Sequence, residues 1–184
     1  MRLLSALSLV ALLVVVVGCA PAAPPAPAAA APQVKANLNQ VMRGILFPNS
    51  NIIFDTQDTD PGAPPDPAVA GSNPYAGTYG GWEAVENASM ALAEAANLIS
   101  LPGRVCQNNK PVPLDDPVYQ KGLAALREVA QLSYDTAKAR KYDADAMLNV
   151  ADKVTQACAT CHDVFRDRVV DGKPIGMEDR CTKG

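Results

Sequence analysis

Histidine is almost absent from this sequence. One His stands in 184 residues, so no site built on two imidazoles can form. Aromatic side chains make up 5% and there is one Trp, while the apolar set as a whole reaches 48%. Much of that share is alanine, which favours helices over an aromatic-centred core. A basic excess is missing too: 16 Lys and Arg stand against 19 Asp and Glu, for a formal net charge of −3. A protein that grips nucleic acid through its phosphates needs a basic face, which argues against that class. Neither G-x-G-x-x-G nor G-x-x-x-x-G-K-[ST] occurs, so nothing predicts a nucleotide cradle. No segment alternates at period two for long enough to predict a strand.

What is present begins with an apolar run over 3–17, broken by Ser5 and Ser8 and preceded by Arg2. It is too short for a stable membrane span and has the layout of an export signal. Its end, Val16-Val17-Gly18-Cys19, is similar to the bacterial lipobox, in which a cysteine after a small residue is lipidated and becomes N-terminal. Residues 1–18 are therefore expected to be a lipoprotein signal peptide and Cys19 a lipidation site. The protein would be anchored to a bacterial membrane rather than spanning it, facing the periplasm or the cell surface. Ala20 follows Cys19 where an Asp would retain the protein in the inner membrane, so the outer membrane is the default in a Gram-negative host. Residues 19–33, rich in Pro and Ala, read as a semi-rigid tether.

The remainder, 34–184, reads as one helical domain. In the first helix, 34–56, Leu38, Val41, Met42, Ile45, Leu46, Ile52 and Ile53 recur at helical spacing. Pro48 predicts a kink or break, with Phe47 biased away from helical backbone. A second helix over 82–101 carries Val85, Ala88, Leu92, Ala95 and Ile99 on one face. A third opens with Asp116 as cap and Pro117 in its first turn. Tyr119, Leu123, Leu126, Ala130, Ser133 and Ala137 form its stripe. A fourth, 143–168, follows the same period through Met147, Val150, Val154, Cys158, Cys161 and Phe165. Four such helices predict an antiparallel bundle. The 57–81 link is long and rich in Pro and Gly. It reads either as a floppy insertion or as a segment wrapping the helices through Tyr75 and Tyr79. A tail, 169–184, closes the chain.

The chemistry gathers at Cys158-Ala-Thr-Cys161-His162, a C-x-x-C-H motif, which is the attachment pattern of c-type haem. Two thiols two residues apart match the two porphyrin vinyls, and the next residue lies under the iron. The single histidine of the chain stands at that position. A thioredoxin-like pair would need a βαβ unit, and none is predicted. A zinc site would need a fourth ligand beside Cys158, Cys161 and His162. A plain disulfide across the pair is the third rival.

The motif lies in the last of four helices, and Cys158-Ala-Thr-Cys-His-Asp-Val-Phe-Arg166 is similar to the C-x-x-C-H-x-x-[YF]-R ending of the class II c-type cytochromes, the cytochrome c′ and c-556 kind. The resemblance spans about 34–170 and is sharp only over the last helix. It implies one covalent haem c inside an antiparallel four-helix bundle, with His162 as proximal ligand and Arg166 beside the haem. It also implies a homodimer through the first two helices, against which stand the Pro48 break and the inserted loop.

In an up-down-up-down bundle the end of the fourth helix lies beside the start of the first. Met42 is then the favoured sixth ligand, since a thioether suits a low-spin electron-transfer haem. The family pattern offers another register: an arginine in the first helix followed four residues on by the distal residue. If Arg43 is that arginine, Phe47 faces the iron and the site stays open. Cys106 follows the second helix and Cys181 the fourth. Those ends share a pole, and an exported protein meets an oxidising space, so a Cys106–Cys181 disulfide is expected.

The function expected is that of a lipid-anchored one-electron carrier, not an enzyme, because no histidine is left for acid–base work. Its acidic surface predicts a redox partner with a basic docking patch and no nucleic-acid partner. Two other readings stand beside it: a five-coordinate protein that binds nitric oxide or carbon monoxide, and an accessory cytochrome subunit of a larger redox enzyme.

Overall fold

The computed structural model describes residues 33–64, 77 and 79–183. The expected export signal, Cys19, the expected tether up to residue 32 and Tyr75 lie outside the described residues. Among the described residues no helix is long and apolar enough to cross a membrane.

Among the described residues the chain is mostly helical, with four long helices and one two-stranded hairpin. The first helix, α1, is continuous but built in three pieces: Leu38–Val41, a π-helical turn Met42–Leu46, and Phe47–Asp55. It starts in a capping box, where Asn37 Oδ1 accepts from Gln40 N and Gln40 Oε1 accepts from Asn37 N, both at 2.9 Å. The break expected at Pro48 does not occur. Phe47 has helical backbone, φ −59° and ψ −51°, and its N–H donates to Met42 O five residues back. Proline has no N–H and its ring crowds the preceding turn. The widened π turn directly before it carries the helix onward without a break.

Helix α2 is Trp82–Leu98, α3 is Pro117–Lys138 and α4 is Ala144–Phe165. Asp116 caps α3 by accepting from Val118 N at 2.7 Å, and Asp143 caps α4 by accepting from Ala146 N at 3.1 Å. The second helix ends earlier than 101, because a turn at Pro102-Gly103 follows, with Gly103 at φ 82°. Every residue of the predicted α2 and α3 stripes is buried. On α4, Met147, Val150, Val154 and Phe165 are buried, while Cys158 and Cys161 are half-buried.

Helix α2 packs on α3, α3 on α4, and Phe47–Asp55 of α1 on both α2 and α4. The core therefore lies between all four, around Ile53, Val85, Leu92, Leu123 and Val154, each at most 2% exposed. Each such side chain contributes about 1.5–3 kcal/mol by leaving water. Ser89 and Ser133 meet across α2 and α3 at 2.7 Å, and Ser89 also donates to Val85 O, so the buried hydroxyls are satisfied.

One pole of the assembly is closely tied. Buried Arg104 donates to Leu98 O at 3.0 Å and to Ala36 O, joining the end of α2 to the entry of α1. Leu38 N donates to Val105 O at 2.8 Å. Tyr119 on α3 donates its hydroxyl to Ile99 O at 2.9 Å and meets Phe165 of α4 edge-on at 6.0 Å. After α4 the chain turns through β1, Val169–Val170, and β2, Lys173–Pro174. Asp171 and Gly172, both at positive φ, form the tight turn between them. Of the 57–81 link, the described part leans on α2, where an added Cβ at Gly62 would meet Trp82 Nε1 at 2.7 Å. Tyr79 is 69% exposed and does not strap the helices.

Candidate functional site

Helical spacing puts Cys158, Cys161 and His162 on one face of α4, since residues three and four apart are neighbours there. That face borders a cavity of about 400 Å³ between the helices, within the size range that holds small-molecule cofactors. From α1 come Met42, Arg43 and Phe47, and from α3 Gly122 and Leu126. A smaller cavity of about 90 Å³ adjoins it and shares Met42, Cys161 and His162.

Both motif cysteines are free thiols, so they are not bonded to each other. Burial pushes the Cys158 thiol up, and burial, with Cys158 and Asp116 nearby, pushes Cys161 up to about 11. Both stay protonated at neutral pH. A thiol-exchange pair works by the opposite shift, toward the thiolate, so a thioredoxin-like role does not fit. His162 is held below its usual value, first by burial and then by the Arg166 guanidinium. Its imidazole is neutral at pH 7, which is the form that ligates iron. Among the described residues no group of three or more His, Cys, Asp or Glu side chains is placed to hold a metal ion.

The π turn decides which α1 side chains face the cavity. Met42 and Phe47 are five residues apart, a spacing an α-helix would splay. In the π turn both reach the same cavity, together with Arg43 and Leu46. Met42 is half-buried and Phe47 is 64% exposed, which puts Phe47 at the mouth.

Arg166 Nη1 lies 3.5 Å from His162 Nε2, and Arg166 lines both cavities. Its guanidinium is also engaged by the next residue: Nε donates to Asp167 Oδ1 at 2.8 Å and to Oδ2 at 2.9 Å. That pairing holds the Asp167 carboxyl below its ordinary value. Cys106 and Cys181 are joined by a disulfide, with Cα atoms 6.6 Å apart, and both line the smaller cavity.

Three residues escaped sequence reasoning. Gly122 sits inside α3, where glycine costs about 1 kcal/mol relative to alanine. An added Cβ there would come 2.1 Å from Cys161 Sγ, so only glycine leaves room for the motif sulfur. That interior glycine was the one signal available. Asp167, which fixes Arg166, and Arg180, which reaches both cavities from the tail, gave none.

No protein-family model matches the chain, and no curated protein or solved structure matches it either.

Proposed function

We propose that this chain is a monohaem c-type cytochrome acting as a one-electron carrier. In that reading the four helices form an antiparallel bundle of the cytochrome c′ and c-556 kind, with 57–81 as a long loop between the first two. The observation that carries the proposal is that Cys158, Cys161 and His162 line one cavity of about 400 Å³. The missing Cβ of Gly122 supports it, since it clears the space that Cys161 uses.

The two cysteines would hold the group through thioethers. Each S–H would add across a vinyl, carbon–sulfur bond formation being matched by transfer of the hydrogen to the neighbouring carbon, with no electrons lost. His162 would offer its neutral ring nitrogen to the iron. Leu92, Leu123 and Leu126 give the cavity an apolar wall. Bound there, haem would supply reversible one-electron chemistry at its iron. With the single histidine committed to ligation, nothing in the site is free for acid–base catalysis, which supports a carrier over an enzyme. Cys19 would carry the lipid anchor, and the net charge of −3 favours a redox partner with a basic patch.

The second reading, gas binding, draws support from the same π turn. Phe47 and Leu46 share the cavity wall with Met42, so an apolar residue stands as ready to cover the iron as the thioether does.

Optical spectra of haem-matured protein, ferric and ferrous, with and without carbon monoxide, test both. A low-spin spectrum whose Met–iron band vanishes in Met42→Ala is expected for the carrier. An immediate shift with carbon monoxide moves the assignment to gas binding. Loss of covalent haem in Cys158→Ser/Cys161→Ser is expected in either case, and an unmodified wild-type chain overturns both.

A further inference from the structure

The larger cavity is lined by three arginines, Arg43, Arg166 and Arg180, and by no Asp or Glu among the described residues. This is a chain in which acidic residues outnumber basic ones. Three cations along a cavity walled mainly by apolar side chains match an occupant that is flat and apolar with anionic groups at its edge.

Arg180 is the member without a protein partner for its Nε, which is buried and makes no hydrogen bond. The nearby carboxylate, Asp167, is engaged by Arg166. A buried charged donor without an acceptor is costly, and native structures seldom keep one without a use. The fold nevertheless holds Arg180 in place from both sides. Cys181, the next residue, is bonded to Cys106 and donates its N–H to Phe165 O at 2.8 Å. Asn108 Nδ2 donates to Met177 O and to Arg180 O, each at 3.0 Å. Lys110 Nζ donates to Glu178 O, and Lys183 pairs with Asp116 at 2.8 Å. Cys181 itself takes φ 65°, a backbone that L-residues adopt at a cost.

We propose that Arg180 binds a carboxylate side group of the haem and that the Cys106–Cys181 disulfide is the latch that presents it. The inference rests on the cytochrome reading and deepens it. The backbone that carries Arg180 is pinned in this way, and its guanidinium, with Nε buried and unpartnered, is free to make a charge-assisted, two-pronged bond to a carboxylate. Arg168, just before the tail, supplies a control. Its Nε is also buried without a partner, yet it lines neither of the two cavities.

The test is the midpoint potential of haem-matured protein, with covalent haem verified by mass. Removing a cation beside the haem favours the more positive ferric state, so Arg180→Gln lowers the potential. The expected change is about tenfold in the ferric-to-ferrous ratio at fixed poise, or about 59 mV for a one-electron couple. Arg180→Lys keeps most of the wild-type value, and Arg168→Gln keeps all of it. Cys106→Ser/Cys181→Ser shifts the potential in the same direction, and R180Q adds little in that background. If R180Q does not fold, R180K and the disulfide-free variant still decide. Equal potentials for R180Q and R168Q in a haem-bearing protein overturn the Arg180 assignment alone, as does full additivity of R180Q with disulfide removal. A wild-type chain without covalent haem overturns the cytochrome reading and this inference with it.

Discussion

Between α2 and α3 the facing side chains are small and the helices close. Ala88, Ala95, Ala130 and Ala137 are at most 1% exposed, and Ser89 touches Ser133. Between α1 and α4 stand Met42, Leu46, Cys158, Cys161 and His162, and about 400 Å³ is left open beside them. Both regions follow the same helical period. Protein interiors are normally packed with few voids larger than a water, so the second region departs from ordinary packing where the first does not. The period tells which face of a helix points inward; it does not tell whether two inward faces meet.

The strongest way to break this comparison is at the tied pole. Cys106→Ser/Cys181→Ser opens a link across 75 residues, and its expected cost is about 2–4 kcal/mol. Denaturant melts of wild type and variant check this. A loss below about 1 kcal/mol would mean that the other tail contacts hold the pole unaided.

A finer test uses two positions one turn apart on α3. Ala130 lies in the closed region and Leu126 on the cavity wall. Ala130→Leu overpacks the seam and is expected to cost about 1–3 kcal/mol. Leu126→Phe adds volume where space exists, so the haem-free chain loses less than in Ala130→Leu, while covalent haem yield falls. Equal losses of stability in the two variants would mean that the cavity walls close in the haem-free chain.

The smallest effect belongs to the Asp116–Lys183 pair. Lys183 is the main cause of the lowered Asp116 pKa, which ordinarily lies near 3.8. A depressed carboxylate contributes stability above its unfolded pKa and loses it as pH falls through the folded value. The melting temperature of Asp116→Asn is therefore expected slightly below wild type at pH 7, and the gap to close below about pH 3.8. A gap that persists into stronger acid would mean that the pair is not its source.

Much of the helical framework was legible from local signals. Asp116 before Pro117 announces a cap, and the spacing of Leu92, Leu123 and Val154 announces buried faces. Pro48 misled because the rule for the residue before proline presumes an ordinary α turn, and here a π turn reroutes the Phe47 N–H to Met42 O. The Asp171-Gly172 turn carried a hairpin signal, but strands of two residues are too short to show alternation. In the site, Cys158, Cys161, His162 and Arg166 were legible because they share one helix and its period. Met42 and the Cys106–Cys181 pair were reached only by adding the order of the helices.

The sequence by itself determined what neighbours along the chain decide: caps, stripes and a C-x-x-C-H motif on one helical face. Those features depend on residues within a turn or two of one another, where backbone geometry leaves few choices. Tertiary structure alone decided what faces that motif. The gap beside α4, the clearance at Gly122, the reach of both Met42 and Phe47 to one cavity, and the arrival of Arg180 from the tail arise where elements remote in sequence meet. No local preference encodes that meeting, because it is fixed by how closely four separate surfaces pack and by a disulfide that spans 75 residues.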